Sequence, residues 1–206
     1  MGTDWLAEYH PRFAAAPQSS IISVNEFYVI MGVIPNSRRG CRDKALYTTI
    51  FYTGARRDAI RRLRWADVDL KDRTARIKTK GRKEQLVTIP VPAARSLNLW
   101  RLKCPSDTWV FPAIGAKTDR PISGSSVTRQ LPRYAKAAGI HKRVYVHLLR
   151  HSCATHLVDS GASLDVVQAV LGHASIRTTQ IYARMSQKRI AAALDQAFPD
   201  IIMKGE

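Results

Sequence analysis

The feature that most constrains this chain is the stretch from residue 146 to residue 182, VHLLRHSCATHLVDSGASLDVVQAVLGHASIRTTQIY. His147 and Arg150 stand three positions apart, so a helix would place them on the same side. His173 follows a Leu-Gly pair typical of a helix end, and Tyr182 closes the stretch in a polar context. Arg and His can donate hydrogen bonds to phosphate oxygens, and a tyrosine hydroxyl can attack phosphorus. The stretch therefore indicates chemistry on a phosphodiester.

The composition adds a second constraint, because the chain is strongly basic. Its 206 residues include 33 Lys and Arg against 16 Asp and Glu, which gives a formal net charge of +17. Such a surplus predicts a polyanionic partner, and nucleic acid is the first choice. The hydrophobic content of 45% indicates a folded domain with a sizeable core. The sequence contains no apolar run long enough to span a bilayer and no signal-peptide pattern.

Upstream of the first stretch, residues 53–70 form a basic cluster, TGARRDAIRRLRWADVDL. Most of its arginines are expected to lie on a solvated helix face. Residues 74–79 and 84–90 read as two strands, and the intervening residues 80–83, KGRK, read as a turn. This pattern predicts a β-hairpin whose basic tip contacts phosphates.

Helical patterns account for much of the remaining chain. Helices are predicted over residues 23–34, 41–54, 93–103, 125–138 and 186–198. The first opens with a candidate capping box from Ser23 to Glu26, and the fourth is expected to break or restart near Pro132. The last carries Ile190, Leu194 and Phe198 along one side.

Three segments carry a dense and collinear resemblance to a known family: HLLRH at 147–151, ATHLVDSGASLDVVQAVLGHAS at 154–175, and TTQIYA at 178–183. They resemble the tyrosine recombinase (phage-integrase-like) family, and the similarity covers about residues 22–198. The resemblance implies the catalytic-domain fold of the DNA breaking-rejoining enzymes. That fold is mainly α with a small antiparallel β-sheet (α+β), and the sheet carries a lysine hairpin.

The domain organisation follows from the same resemblance. Residues 21–206 are expected to form the tyrosine recombinase catalytic domain, and residues 1–20 are expected to be a tail or linker remnant. The N-terminal core-binding domain that most members carry is expected to be absent. The chain would then be an isolated catalytic domain or a short single-domain member.

The resemblance assigns six catalytic residues: Arg56, Lys80, His147, Arg150, His173 and Tyr182. It implies that Tyr182 attacks a DNA phosphate and forms a 3′-phosphotyrosyl link, while Lys80 protonates the leaving 5′ oxygen. Lys83 is the alternative for the lysine role. His147 is implied as the acid and base for the tyrosine and the incoming hydroxyl. The arginines and imidazoles are expected to stabilise the charge that develops on the phosphate.

The flanks of Arg56 select it over Arg57, because a Thr-Gly pair precedes it and a Leu-x-Trp-x-Asp motif follows in the family register. The chain departs from the family three positions after Arg56. Family members usually carry an acidic residue there, and this chain has Ala59. Asp58 is the candidate substitute partner. Without a partner, Arg56 is expected to be held less firmly and activity to be low.

Further basic residues are expected to contact DNA: Lys78, Arg82 and Lys83 on the hairpin, and Arg129 and Arg133 on the helix over 125–138. For the last two, a solvated face is an equal alternative. No cofactor and no metal are expected, because the side-chain cations already neutralise the charge that a metal would neutralise. His147 and His151 have the spacing of a helical metal pair, but Leu148 stands where the metalloprotease pattern needs Glu.

The implied partner is a double-stranded DNA recombination site, on which copies of the chain assemble into a tetrameric synapse. The helix over 186–198 is expected either to be exchanged between neighbouring copies or to fold back on its own core. Free in solution the chain is expected to be a monomer, because its charge of +17 opposes association. Three widely spaced cysteines without a C-x-x-C motif predict reduced thiols, so a cytoplasmic (nucleoid-associated) protein is expected.

Two other functions fit part of the sequence. A type IB topoisomerase shares the chemistry but relaxes supercoils without strand exchange. A catalytically weak DNA-binding regulator would keep the fold without the activity, and Ala59 is the feature that leaves this alternative open. The sequence motifs LGHAS and TTQIY favour the recombinase over the topoisomerase.

Overall fold

The computed structural model describes residues 21–78, 84–172 and 187–199. Within these ranges the α-helices are α1 (Val24–Gly32), α2 (Arg38–Thr53), α3 (Arg57–Ile60), α4 (Val91–Arg101), α5 (Gly124–Ala137), α6 (Val146–Asp159), α7 (Leu164–Leu171) and α8 (Gln187–Ala197). The strands are β1 (Val68–Asp69), β2 (Thr74–Lys78) and β3 (Glu84–Thr88). The predicted fold class, mainly α with a small antiparallel sheet, is confirmed. None of the helices in these ranges has both the length and the apolarity to cross a bilayer.

Local sequence signals set the ends of the first two helices. Ser23 Oγ accepts a hydrogen bond from the Glu26 N–H at 3.2 Å, and the Glu26 carboxylate accepts one from the Ser23 N–H at 2.8 Å. This is the predicted capping box. α2 begins earlier than predicted, because Ser37 caps it by accepting from the Gly40 N–H. It ends as predicted at Gly54, whose left-handed φ of 60° stops the helix.

α2 is the central element of the core. Leu46, Tyr47, Ile50 and Phe51 on this helix are fully buried. The helix packs against α4 and α6, and almost every residue after its first turn is inaccessible to solvent. The C-terminal end of α2, at Gly54, therefore lies inside the domain, where its last carbonyl groups need partners other than water.

The sheet is a three-stranded antiparallel ribbon with the strand order β1-β2-β3. Thr74 pairs with Thr88, and Lys78 pairs with Glu84. This register confirms the predicted hairpin, although β3 ends at Thr88 and not at the predicted Pro90. The tip at residues 79–83 lies outside the described residues.

α5 differs from its prediction, because it continues through Pro132 without a break. A proline inside a helix removes one backbone hydrogen bond and disfavours the preceding turn. Val127, Leu131 and Ala135 are buried along one side of α5. The apolar stripe that they form packs into the core and holds the helix in one piece, which local propensity does not reveal.

α8 packs on the core of its own chain. Ile190, Leu194 and Phe198 are buried, with 9%, 1% and 2% of their surfaces exposed. The Phe198 ring lies 4.9 Å from the Tyr52 ring and 5.8 Å from the His156 ring, measured between centroids. The structure of the single chain therefore shows the fold-back alternative.

His156 links the first described residues to α8. Its Nε2 lies 2.9 Å from the Ile22 carbonyl oxygen, and the Ile22 N–H donates to Ser152 Oγ at 2.8 Å. The same imidazole packs against Phe198. The segment around Ile22 and α8 thus meet on one face of α6.

Replacing Phe198 with Ala tests whether α8 packs on its own chain. Truncating a buried phenylalanine costs about 3–5 kcal/mol, so the free energy of unfolding in a urea titration should fall by about that amount. Ala192→Ser, on the exposed side of the same helix, should change it by less than about 0.5 kcal/mol. Equal urea midpoints for the Phe198→Ala variant and the unsubstituted chain would contradict this packing.

Candidate active site

Arg150 is a buried cation on α6, with 8% of its surface exposed. Its Nη1 donates to the Gly54 carbonyl oxygen at 2.5 Å, and its Nη2 donates to the Leu171 carbonyl oxygen at 2.8 Å. These carbonyls end two different helices. Because the guanidinium is a rigid planar fork, it fixes α6, the end of α2 and the end of α7 at one point.

Both partners of Arg150 lie where a helix terminates. Gly54 is the left-handed cap of α2, and Gly172, with a φ of 61°, is the left-handed cap of α7 directly after Leu171. The last carbonyl groups of a helix lack intrahelical partners and carry the negative end of the helix dipole. A buried charge without compensation is strongly destabilising. Among the described residues, Arg150 obtains its compensation from backbone oxygens and not from a carboxylate.

The charge of Arg150 is retained at neutral pH. Burial, and then the positive charge of Arg56, lower the pKa of Arg150 to about 10. The guanidinium therefore remains protonated at pH 7. The positive charges of Arg56 and Arg150 repel each other, and a bound anion would relieve that repulsion.

Arg56 and Arg150 line a common cavity of about 470 Å³. The cations that line it come from α3, the turn after it, β2 and α6, and they are Arg56, Arg62, Arg64, Arg76, Lys78 and Arg150. Asp58 and Asp67 are the acidic residues of the lining. Such an excess of positive charge in a cleft concentrates anions. Of the predicted site residues, the structure brings Arg56, Lys78 and Arg150 together.

Arg56 and Arg57 have different environments. Arg56 occupies the N-cap position of α3 with extended backbone, φ −66° and ψ 137°, and its exposed side chain lines the cavity. Arg57 donates to Asp58 at 2.7 Å and to Thr128 Oγ1 at 2.9 Å. Arg57 therefore joins α3 to α5, while Arg56 lines the cavity, so the two arginines differ in the way that the flanking motif predicts.

Asp58 does not replace the missing acidic partner of Arg56. Its carboxylate accepts from Arg61 Nε at 2.6 Å and from Arg57 Nη2 at 2.7 Å, and these hydrogen bonds hold its pKa below the usual value. The expectation that Asp58 pairs with Arg56 is wrong. Within the part of the chain that the structure describes, Arg56 has no ion pair, and Ala59 contributes a short side chain to the cavity wall.

Three cavity arginines were not predicted as site residues. Arg62 and Arg64 were assigned to a solvated face, yet both line the cavity, and Arg64 lies 5.0 Å from the centre of the Trp109 ring. No sequence signal places Arg62 and Arg64 at the cavity, because the direction of their side chains depends on the turn after α3. Arg76 had a signal, since it stands two positions before Lys78 and so shares a face of β2.

The histidines of α6 differ in exposure. His147 is exposed in the first turn of the helix, three residues before Arg150. His151 is half-buried, and burial together with the charge of His147 lowers its pKa, so His151 is mostly neutral at pH 7. In the described ranges no group of three or more His, Cys, Asp or Glu has the arrangement of a metal site.

The remaining predicted residues fall into two groups. Arg129 and Arg133 are exposed on α5 and are not part of the cavity lining, so their contact with DNA stays a prediction. Five others lie outside the described residues: Lys80, Arg82, Lys83, His173 and Tyr182. The described ranges that end at Lys78 and at Gly172 come close in sequence to Lys80 and His173.

The family model described as "Phage integrase family" matches residues 21–189. The chain belongs to this family, in agreement with the resemblance of its sequence and with its fold.

Individual relatives agree with this assignment. The tyrosine recombinase XerC of Syntrophus aciditrophicus (strain SB) is 33% identical over 189 residues, which cover 87% of this chain and 61% of the relative. The chain thus spans less than two thirds of the length of that protein.

Solved structures share the fold. The crystal structure of XerA recombinase matches with a TM-score of 0.65 and 27% identity, over 87% of this chain and 64% of that one. XerH site-specific recombinase, bound to its difH substrate in a pre-cleavage complex, matches with a TM-score of 0.63 and 24% identity, over 85% and 53% of the two chains. At this identity the XerH likeness shows the fold alone.

Replacing Gly54 with Ala tests the anchor of Arg150. A Cβ at Gly54 would lie 2.8 Å from Leu171 Cδ2 and 3.1 Å from Cys153 Sγ, at a φ of +60°. The left-handed conformation alone costs about 1–2 kcal/mol for a non-glycine residue, and the contact adds to that. We expect a lower melting temperature for Gly54→Ala by calorimetry.

Gly32→Ala is the matched control, because Gly32 ends α1 and a Cβ there would meet nothing within 4 Å. Its melting temperature should stay the same or rise slightly. Similar melting temperatures for the two variants would show that the close packing at Gly54 is wrong.

Proposed function

We propose that this chain is the catalytic domain of a site-specific tyrosine recombinase that cleaves and rejoins double-stranded DNA. The observation that carries the proposal is the convergence of Arg56 and Arg150 on one cation-lined cavity. Membership of the phage integrase family and similarity to XerC support the same activity.

Arg150 and Arg56 would bind the non-bridging oxygens of the scissile phosphate. Negative charge accumulates on these oxygens as the phosphorus becomes five-coordinate. Donors that are already fixed before the reaction stabilise that charge without reorganisation. Arg150 meets this condition, because two backbone carbonyls hold its guanidinium in place. Arg56 is exposed and less constrained, so it can adjust to the bound phosphate.

The proposed reaction has two transesterification steps. The Tyr182 hydroxyl attacks phosphorus and loses its proton to His147, while the bond to the 5′ oxygen breaks. Lys80 protonates that leaving oxygen, and a 3′-phosphotyrosyl link remains. A 5′ hydroxyl of the second DNA strand then attacks the phosphorus and releases the tyrosine, with the proton transfers reversed. His173 would supply a further hydrogen bond to the phosphate.

The proposed substrate is double-stranded DNA. The chain carries a formal charge of +17, and the cavity brings six of its cations together. Polyanion binding by such a surface depends mainly on the phosphate backbone. XerH, which shares the fold, is bound to its difH substrate. Lys78 on β2 lines the cavity and is a candidate for a contact with the DNA backbone, and the further candidates are Arg82, Lys83, Arg129 and Arg133.

We also propose that copies of the chain assemble on a recombination site in the bacterial nucleoid as a tetramer, with α8 exchanged between neighbours. The single chain buries Phe198 in its own core. Exchange would therefore require α8 to leave one core and enter an equivalent one, so the number of buried contacts is conserved. The free-energy cost of exchange would then come mainly from rearranging the connecting residues, and DNA binding would have to offset this cost.

One experiment separates the proposal from its two alternatives. The chain is incubated with a nicked duplex that carries a recombination site, and products are examined for a covalent protein–DNA adduct and for strand exchange. A recombinase gives both. A type IB topoisomerase gives the adduct and relaxes a supercoiled plasmid without exchange, whereas a regulator binds the duplex and gives no adduct.

Tyr182→Phe should abolish the covalent adduct, because phenylalanine keeps the ring and removes the attacking oxygen. Affinity for the same duplex should stay nearly unchanged in a gel-shift titration, since binding depends on the cations. An adduct that persists in this variant would refute the assignment of the nucleophile.

Lys80→Ala should slow cleavage of a normal phosphodiester by about 10²–10⁴-fold, the usual contribution of a general acid. A 5′-bridging phosphorothioate leaves without a proton, so this substrate should restore much of the rate. Lys83→Ala is the matched control on the same hairpin and should show neither the defect nor the rescue. The reverse pattern would assign the proton donor to Lys83.

A further inference from the structure

Gln85 connects the hairpin to the end of α7. It lies on β3 opposite Ile77, and its Nε2 donates to the Ala169 carbonyl oxygen at 3.3 Å. The Gly172 N–H donates to the same carbonyl at 3.2 Å. The side chain of Gln85 therefore takes part in capping the last turn of α7.

The contact between Gln85 and the helix end is close. A Cβ built on Gly172 would lie 2.1 Å from Gln85 Oε1 and 2.6 Å from its Nε2. Only glycine both adopts the φ of 61° and leaves room for the amide. The Gln85 amide thus fills the space where any other residue at position 172 would place its side chain.

The same helix end holds Arg150. The Leu171 carbonyl accepts from Arg150 Nη2. In the sequence, Leu171 stands between Ala169, whose carbonyl accepts from Gln85, and the cap residue Gly172. Gln85 and Arg150 also line the same cavity. A shift of the last turn of α7 would therefore move one of the two oxygens that orient the guanidinium.

We infer that Gln85 is a positioning residue that acts through the end of α7 on Arg150. This inference depends on the proposed function. It assigns to the hairpin a second task besides carrying the basic tip: Gln85 on β3 holds the last turn of α7, and the Leu171 carbonyl of that turn accepts from Arg150. Loss of the Gln85 donor would hold the last turn of α7 less firmly, and the Leu171 carbonyl that accepts from Arg150 Nη2 could then shift.

The test uses Gln85→Met, which keeps a long unbranched side chain and removes the donor. Single-turnover cleavage is measured on two nicked duplexes, one with the normal scissile phosphodiester and one with a methylphosphonate at that position. The methylphosphonate lacks the negative charge that Arg150 neutralises, so the alignment of Arg150 should matter much less on it. Leu86→Ala, at an exposed neighbour on the other face of β3, is the control.

On the phosphodiester, Gln85→Met should be slower by about 10- to 100-fold, the scale expected when a catalytic group is displaced by about 1 Å. The defect should shrink to about twofold or less on the methylphosphonate, because an indirect effect through Arg150 disappears with the charge. The Gln85→Met/Arg150→Ala double variant should be no slower than Arg150→Ala. Affinity for the duplex should be unchanged.

A defect of equal size on both substrates, or one that adds fully to that of Arg150→Ala, would overturn the inference. If Gln85→Met proves poorly folded by thermal unfolding, Gln85→Glu takes its place, since it keeps the shape and cannot donate at neutral pH. Failure of the inference differs from failure of the proposed function: in the latter case the unsubstituted chain forms no covalent adduct at all.

Discussion

The site depends on how one buried cation is accommodated. Arg150 lies inside the domain, and the ends of α2 and α7 supply the oxygens that it needs. This arrangement requires both helices to stop at fixed points, which the left-handed glycines ensure. It also requires α6 to cross between them. The packing of α2 in the core and the orientation of the Arg150 guanidinium thus depend on the same hydrogen bonds.

Much of the architecture was predictable because its signals are local. The capping box at Ser23, the end of α2 at Gly54 and the pairing of the two hairpin strands each depend on a few neighbouring residues. The continuity of α5 through Pro132 was not predictable, because the buried stripe that holds it together depends on tertiary contacts.

The candidate site was predicted less evenly. Arg56 and Arg150 could be selected because motifs flank them, and the structure places both on one cavity. The partner of Asp58 was predicted wrongly, since adjacency in sequence does not decide which arginine a carboxylate faces. No motif flanks Arg62 and Arg64. The direction of their side chains is set by the turn after α3 and, for Arg64, by the contact with Trp109. The positioning contact of Gln85 spans residues distant in sequence, so only the fold reveals it.

The meeting of Ile22 and Phe198 on His156 has a mechanical consequence. Because one imidazole ring makes both contacts, a displacement of His156 would disturb the Ile22 segment and α8 together. The packing of α8 is therefore coupled to the placement of a segment at the opposite end of the described chain.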